Sequence, residues 1–468
     1  MNHPTFFDLI DTTFDFPQEG IDIEGEHLLF NGLNLYELIQ IYGTPMRLFY
    51  LPKIGEQIKK ARLWFTRAFR KYAYKGDYVY SYCTKSNHFL FTLKEALRNG
   101  SHIEVSYTYD LDIVEYLAKK GLINPEEIII IANGFKPPHY AQRIKQLFKA
   151  GFKNIIPVLD HVEELEYYMD LDTDEPLQIG IRIAAEEEPT FEFYTSRLGI
   201  RWDWIIPFYK EKIANNKKFK LVMLHFFINT GIRDSAYYWS EFSKALNMYI
   251  ALRHLEPSLR YFNIGGGFPV RNSLGFKYDY EEIIDEIVSQ IKTRTLAEHL
   301  PEPDIVSEFG TFTVGESGAH LFKVIGEKIQ NDTETWYFID NSIMTTLPDA
   351  WGMDQRFILL PVNKWKSPYK RVNIGGLSCD AYDYYNSEVH LNNVYLPVLD
   401  KKEPLYIAFL HTGHYQDALS GFGGIKHCLI PSPQYVVVDR DPNTGELKHS
   451  LFPKHQDSQS MLKILGYV

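Results

Sequence analysis

From about residue 54 the chain alternates between two hydrophobic rhythms. Ile54–Tyr72 interleaves basic and apolar positions at helical spacing, and Leu90–Asn99, Ala141–Lys149, Tyr238–His254 and Tyr280–Ile291 repeat that pattern. Between them lie short runs rich in aromatic and β-branched residues. These are Tyr78–Cys83, Ile103–Tyr107, Glu127–Ala132, Asn154–Leu159, Ile179–Ala184, Lys220–Ile228, Tyr261–Ile264 and Ile305–Glu308. Continuous apolar strands separated by amphipathic helices predict a parallel sheet covered on both faces. Eight such strands, each with a helix nearby, favour a closed (β/α)8 barrel over an open doubly wound sheet. Residues 1–46 read as short extended pieces and one helix, with turn signals at Asn31-Gly32 and Tyr42-Gly43-Thr44. After about residue 320 the pattern predicts short strands without intervening helices, as in Leu405–Leu410 and Gln434–Asp439. The expected organisation is a TIM-type α/β barrel over 47–320 and an all-β domain formed by 321–468 together with 1–46.

Composition narrows the class. The 468 residues are 45% hydrophobic and 23% charged, which excludes disorder across the whole chain. Lys and Arg total 49 against 60 Asp and Glu, a net charge of −11. Phosphate-backbone binding calls for a basic footprint, so no nucleic-acid partner is expected. No apolar run approaches the roughly 20 residues of a membrane span. The N-terminus lacks a basic region followed by an apolar one, so the expected compartment is the cytoplasm. Cys83, Cys379 and Cys428 look too few and too scattered along the chain for a disulfide scaffold or a zinc site, and no metal is expected.

In barrels of this type chemistry gathers at the C-terminal ends of the strands. The first strand runs into Tyr82-Cys-Thr-Lys85-Ser-Asn87. A lysine there is a solvated rim residue or, with its amine desolvated, a Schiff-base nucleophile. The seventh strand ends in Asn263-Ile-Gly265-Gly266-Gly267-Phe-Pro269. Consecutive glycines leave backbone N–H groups unobstructed around a phosphate, although a tight turn gives the same signal. The spacing is not that of a dinucleotide fingerprint. The eighth strand carries Ser307-Glu308-Phe-Gly310, a carboxylate at the barrel opening. A mouth lysine, a phosphate-sized glycine loop and a mouth carboxylate together point to pyridoxal 5'-phosphate. Lysine would hold the aldehyde, glycines the phosphate, and the carboxylate the ring nitrogen. A carboxylate at that nitrogen keeps it protonated and the ring electron-accepting, which favours decarboxylation.

With these motifs the chain resembles the alanine-racemase-like, fold type III decarboxylases that act on ornithine, diaminopimelate and arginine. The likeness runs from about residue 22 to the end. The family's Tyr-x-x-Lys-x-Asn stands at 82–87, its second-strand acid at Glu104, and its Ile-Gly-Gly-Gly-Phe-Pro at 264–269. Its Cys-Asp-x-x-Asp appears as Cys379-Asp380-Ala-Tyr-Asp383, and its Gly-Ala-Tyr as Gly413-His414-Tyr415. The resemblance implies catalytic roles for Lys85, Glu308 and Cys379, with Cys379 returning a proton to Cα. It implies cofactor contacts from Lys85, Glu104, Phe227, Thr230, Gly265, Gly266, Gly267, Glu308 and Tyr415. It assigns substrate binding to Asp380 and Asp383, and implies a homodimer with shared active sites.

Two departures stand out. The family's His-x-His-x-Gly-Ser reads His225-Phe-Phe227-Ile-Asn229-Thr230, so the ring-covering position is Phe227, while Thr230 keeps a hydroxyl. The phosphate-binding arginine of Glu-Pro-Gly-Arg is Thr311, which removes a charge-assisted contact. For the substrate, Asp380 follows the ornithine and arginine pattern, where diaminopimelate enzymes carry Glu. The stretch Leu347–Pro361 and the pair Tyr415-Gln416 resemble biosynthetic arginine decarboxylases, whose inserted regions this chain lacks. The expectation is decarboxylation of a basic L-amino acid, with L-arginine giving agmatine for polyamine biosynthesis. Diaminopimelate, ornithine and lysine stay open, as does a non-catalytic regulatory homologue.

Overall fold

Tyr78–Cys83, His102–Val105, Ile130–Ala132, Ile155–Leu159, Leu177–Arg182, Phe219–His225, Tyr261–Asn263 and Asp304–Glu308 form eight parallel strands that close into a barrel. The computed structural model describes residues 4–10, 16–186, 194–389, 392–400, 402–452 and 456–467. The chain divides into two compact units, Gly55–Pro269 with Tyr278–Thr313, and Met1–Ile54 with Val270–Lys277 and Val314–Val468.

In the first unit the barrel closes through the pairing of the eighth strand with the first, Glu308 opposite Ser81. The expected strands are all present, and several end earlier than their apolar runs do. Lys220–Ile228 stops at His225 and Ile179–Ala184 at Arg182, because polar strand ends turn into the mouth there. Inward-facing Ile131, Ile156, Val158, Val222, Met223 and Val306 fill the barrel interior. Helices Pro52–Lys71, Leu90–Arg98, Pro138–Lys149, Ala236–Leu255 and Tyr280–Ala297 cover its outside, as their periodicity requires. After the fourth strand the cover is a 3-10 helix, Val162–Tyr168.

The second unit is built on a ten-stranded mixed sheet. Its central strand, Gly318–Ile329, pairs with Thr335–Ile339, Tyr406–Leu410 and Met46–Tyr50, and Met46–Tyr50 pairs in parallel with Gln434–Arg440. The expected domain limit at 47 therefore falls inside a strand of this sheet, whose five residues are all buried. Two further corrections apply. Gly318–Ile329 is a long strand of 12 residues, and short helices Ile343–Thr346, Pro348–Gly352, Gln416–Ser420 and Ser458–Ile464 interrupt a region expected to lack them. Elements of four to seven residues are shorter than the window over which helical periodicity is read. The hairpin His27–Phe30 to Leu33–Asn34 turns at Asn31-Gly32, both with positive φ. Asn34 then caps helix Leu35–Tyr42 by accepting the Tyr36 and Glu37 N–H groups. Among the described residues no helix is long and apolar enough to cross a membrane.

Candidate active site

The turn that carries Lys85 is fixed by its neighbours in sequence. The first strand passes into a single 3-10 turn, Thr84–Ser86. Tyr82 Oη donates to the Asn87 carbonyl at 2.8 Å, and Asn87 Oδ1 accepts from Phe89 N–H at 3.0 Å and Thr92 Oγ1 at 3.1 Å. Asn87 thus closes the turn and opens the next helix, which leaves Lys85 projecting from the strand end.

Lys85 Nζ donates to Glu104 Oε2 at 2.7 Å and to Ser106 Oγ at 3.3 Å. The lysine side chain is 42% exposed while that of Glu104 is fully buried, so the amine faces open space from a buried anchor. Glu104 Oε1 accepts from Asn133 Nδ2 at 3.0 Å, and the same amide nitrogen lies 2.9 Å from both oxygens of Glu308. Asn263 Nδ2 donates to Glu308 Oε1 at 2.6 Å, and His225 Nε2 stands 3.4 Å from Glu308 Oε2. A polar chain therefore runs from Lys85 through Glu104 and Asn133 to Glu308. The sheet register makes it possible: Glu104 lies opposite Cys83, and His225 lies opposite both Arg182 and Asn263.

Burial alone would raise the pKa of Glu308. The nearby His225, then the Lys85 charge and the Asn133 hydrogen bond, outweigh it and hold the carboxyl down at about 2. Glu308 is thus a permanent carboxylate at the base of the mouth.

Beside it, the glycine loop is packed so closely that side chains are excluded. Gly265 has φ +69° and a Cβ there would lie 2.7 Å from the Phe226 carbonyl oxygen. Gly267 has φ +98°, and its Cβ would lie 2.6 Å from Gly231 Cα. That contact brings Thr230, the residue before Gly231, to the loop. Thr230 Oγ1 is buried and has no hydrogen-bond partner among the described residues. Phe227 borders Gly265, and the Arg182 guanidinium carbon stands 5.6 Å from the Phe227 ring centroid.

Of the residues expected from the sequence, Lys85, Glu104, Phe227, Thr230, Gly265, Gly266, Gly267 and Glu308 belong to the barrel unit. Cys379, Asp380, Asp383 and Tyr415 belong to the other. There Asp380 is half-exposed and accepts the Tyr382 N–H at 2.8 Å. Asp383, expected beside it as a second substrate carboxylate, is buried. Its Oδ1 accepts from Ser342 Oγ and Met344 N–H, each at 3.0 Å, and its Oδ2 from Ser378 N–H at 2.9 Å. Asp383 fastens the loop that carries Cys379 and Asp380. Tyr415, at φ 56°, opens helix Gln416–Ser420, and Gln416 Nε2 donates to the buried Asp349 at 2.7 Å. The two stretches singled out for their arginine-type likeness thus meet in this pair. Cys379 Sγ lies 3.4 Å from Cys428 Sγ. The two cysteines, scattered along the chain, are neighbours in space.

Asn133, Arg182 and Ser106 carry no motif that marks them in the sequence, and His225 and Asn263 enter only as parts of motifs. All lie at or just beyond a strand's C-terminal end, the same signal that picks out Lys85 and Glu308.

A parallel barrel whose mouth holds a lysine, a buried carboxylate and a glycine-only loop defines a class of pyridoxal-type sites. Residues 56–315 match the family described as "Pyridoxal-dependent decarboxylase, pyridoxal binding domain", and the chain belongs to that family. It is 20% identical to the biosynthetic arginine decarboxylase of Thermosynechococcus vestitus, over 93% of this chain and 85% of the relative. Among solved structures it resembles the biosynthetic arginine decarboxylase of Campylobacter jejuni, with a TM-score of 0.80 at 20% identity, covering 98% and 90% of the two chains. It also resembles the diaminopimelate decarboxylase of M. jannaschii, with a TM-score of 0.77 at 16% identity, covering 95% and 97%.

The residues present fit the cofactor that the family implies. The unpartnered Thr230 hydroxyl and the side-chain-free loop suit a phosphate, and the carboxylate of Glu308 suits a protonated ring nitrogen. Thr311 supplies no cation where the family places an arginine.

Proposed function

We propose that the protein decarboxylates a basic L-amino acid with pyridoxal 5'-phosphate, and that L-arginine is the substrate, giving agmatine and CO2. The observation that carries this reading is Glu308, a buried and permanently ionised carboxylate joined to Lys85 through Glu104 and Asn133. Bound at the barrel mouth, the cofactor supplies an electron sink that accepts the pair left on Cα as CO2 departs. Lys85 supplies the amine that holds the cofactor's aldehyde carbon, with Glu104 and Ser106 orienting its Nζ. Glu308 holds a proton at the pyridine nitrogen, and Asn133 and Asn263 keep the carboxylate aimed by donating to it. The loop Gly265–Gly267 and Thr230 would bind the phosphate, and Phe227 would cover a ring face without hydrogen-bonding to it; the resemblance adds Tyr415 as a cofactor contact.

Cys379 returns a proton to Cα after CO2 leaves. Asp380 receives the distal cation of the substrate, because a planar guanidinium matches a carboxylate in two parallel hydrogen bonds. Asp383 positions Asp380 by holding its loop. Following the resemblance, Cys379 and Asp380 act in the site of a second copy of the chain in a homodimer. Arginine is favoured over the other basic amino acids by the likeness of Leu347–Pro361 and Tyr415-Gln416 to biosynthetic arginine decarboxylases, two stretches that the Asp349–Gln416 hydrogen bond joins. CO2 release from L-arginine, L-ornithine, L-lysine and diaminopimelate tests the assignment. The highest kcat/KM is expected for arginine. A preference for diaminopimelate would refute the substrate, and no CO2 from any of the four would favour a non-catalytic homologue.

A further inference from the structure

Outside the barrel mouth, the one grouping of soft ligands among the described residues is Cys379, His427 and Cys428. Their sulfur and nitrogen atoms all lie within 4.8 Å of one another. Cys379 Sγ stands 3.4 Å from Cys428 Sγ and 4.0 Å from His427 Nε2. Two thiolates and an imidazole arranged tetrahedrally on one zinc ion sit about 3.5–3.8 Å apart, from Zn–S near 2.3 Å and Zn–N near 2.0 Å. The Cys379–Cys428 and Cys379–His427 separations lie within about half an ångström of that geometry, and the third, Cys428 to His427, is no more than 4.8 Å. Both thiols are free, and a covalent bond between them would need an approach to about 2.05 Å.

The surroundings hold this arrangement in place. On one side Asp383 clamps the loop by accepting Ser378 N–H. On the other, Lys426 and Ile430 are buried and flank His427 and Cys428. Lys426 Nζ is tied to the Thr345 carbonyl and Ser420 Oγ. Cys428 itself has φ 57° and ψ 17°, a left-handed conformation that aims its side chain back toward the Cys379 loop. The backbone N–H of Cys379 donates to Cys428 Sγ at 3.5 Å, the outer-shell contact that steadies a charged sulfur. All three side chains are exposed, so an ion has access and a fourth position is open to water.

We propose that Cys379, His427 and Cys428 form a binding site for a soft divalent cation of the zinc type. Loading releases the two thiol protons to solvent and leaves both sulfurs as metal-bound thiolates. If the role proposed above for Cys379 holds, the loaded chain has no proton on that sulfur to deliver, and turnover falls with occupancy. That second consequence rests on the proposed function; the binding site does not.

The test uses reduced, untagged, cofactor-loaded protein stripped of metal, titrated with Zn2+ and separately with Co2+. One ion per chain is expected, and Co2+ should give the long-wavelength absorption of a tetrahedral, sulfur-ligated ion. Cys428→Ser and His427→Ala should each weaken Zn2+ binding by at least about tenfold. Both variants should keep the metal-free turnover, and Cys428→Ser should lift inhibition by Zn2+. Absence of binding, affinity unchanged in both variants, or recovery of Cys379 only as a disulfide with Cys428 would overturn the site. Stoichiometric binding without any loss of turnover would instead contradict the role of Cys379 in the reaction while leaving the site standing.

Discussion

Glu308 at the barrel mouth is buried and fixed by Asn133, Asn263 and His225, whereas the side chain of Asp380 in the β unit is half-exposed and, among the described residues, holds a single backbone N–H of its own loop. The first carboxylate owes its position and charge to strand ends brought together by barrel closure. The second is presented on a loop whose shape depends on another residue, Asp383. A cofactor site must be preorganised before the cofactor arrives, so its polar groups satisfy one another in advance. Asp380, proposed to recognise the substrate, instead keeps oxygen lone pairs available for a ligand. The contrast predicts that changes at the mouth abolish chemistry, that changes at Asp380 alter choice of substrate, and that changes at Asp383 and Asp349 alter stability.

The largest effect is expected at Lys85. Lys85→Ala removes the only amine in the mouth network, and kcat should fall by on the order of 10^3 or more. Retention of more than a tenth of the wild-type rate would sink the assignment. Glu308→Gln comes next. An amide presents one acceptor and one donor where Asn133 and Asn263 both donate, and it carries no charge for a ring proton. Turnover should drop by about 10^2–10^3-fold with cofactor still bound, as absorbance of the loaded protein will show.

Within the loop, neighbouring aspartates should separate cleanly. Truncating one partner of a buried charge pair costs about 2–5 kcal/mol, and a half-exposed position belongs at the low end. Asp380→Ala should therefore lower kcat/KM for arginine about 30-fold, with little loss for norleucine and an unchanged Tm. Asp383→Ala should lower Tm, because Ser342, Met344 and Ser378 lose their acceptor and each buried unpaired group costs about 1–3 kcal/mol. Equal losses for arginine and norleucine in Asp380→Ala would mean that this carboxylate supports the site in general.

The effect expected at Asp349 is on stability and leaves the reaction itself untouched. Burial raises its carboxyl to about 6, against opposing contributions from Gln416 and Arg47. Between about pH 4 and 6 the folded chain therefore holds a proton that the unfolded chain has released, and stability falls as pH rises through that range. That difference between the folded and unfolded carboxyl corresponds to about 3 kcal/mol by pH 7. Asp349→Asn should remove this component, so its stability relative to wild type, measured by urea unfolding, should improve between pH 4 and pH 7. A constant difference across that range would contradict the raised pKa of the buried carboxyl.

Strand ends were the legible part of this molecule. Apolar runs locate the eight strands, and the residues that terminate those runs include Lys85, Glu308 and the glycine loop. Asn133 escaped because its value lies in a contact across the barrel, to the eighth strand, and sequence gives strand order without showing which side chains meet inside. Met46–Tyr50 was hard to place for a related reason: its partners lie at Gly318–Leu321 and Gln434–Val438, hundreds of residues away. The Cys379–Cys428 approach depends on a left-handed backbone at a non-glycine residue, for which the sequence carries no signal. Asp380 and Asp383 were indistinguishable by type, and only their hydrogen bonds part them.

The central claim is that Lys85 is the residue that holds the cofactor. Borohydride reduction of the cofactor-loaded protein, with peptide mapping of the product, tests it without reference to turnover or substrate. The reduced pyridoxyl group should appear on the peptide containing Lys85 and disappear in Lys85→Ala. A pyridoxyl group on any other lysine of the wild-type chain, such as the buried Lys136 of the same unit, would contradict the account.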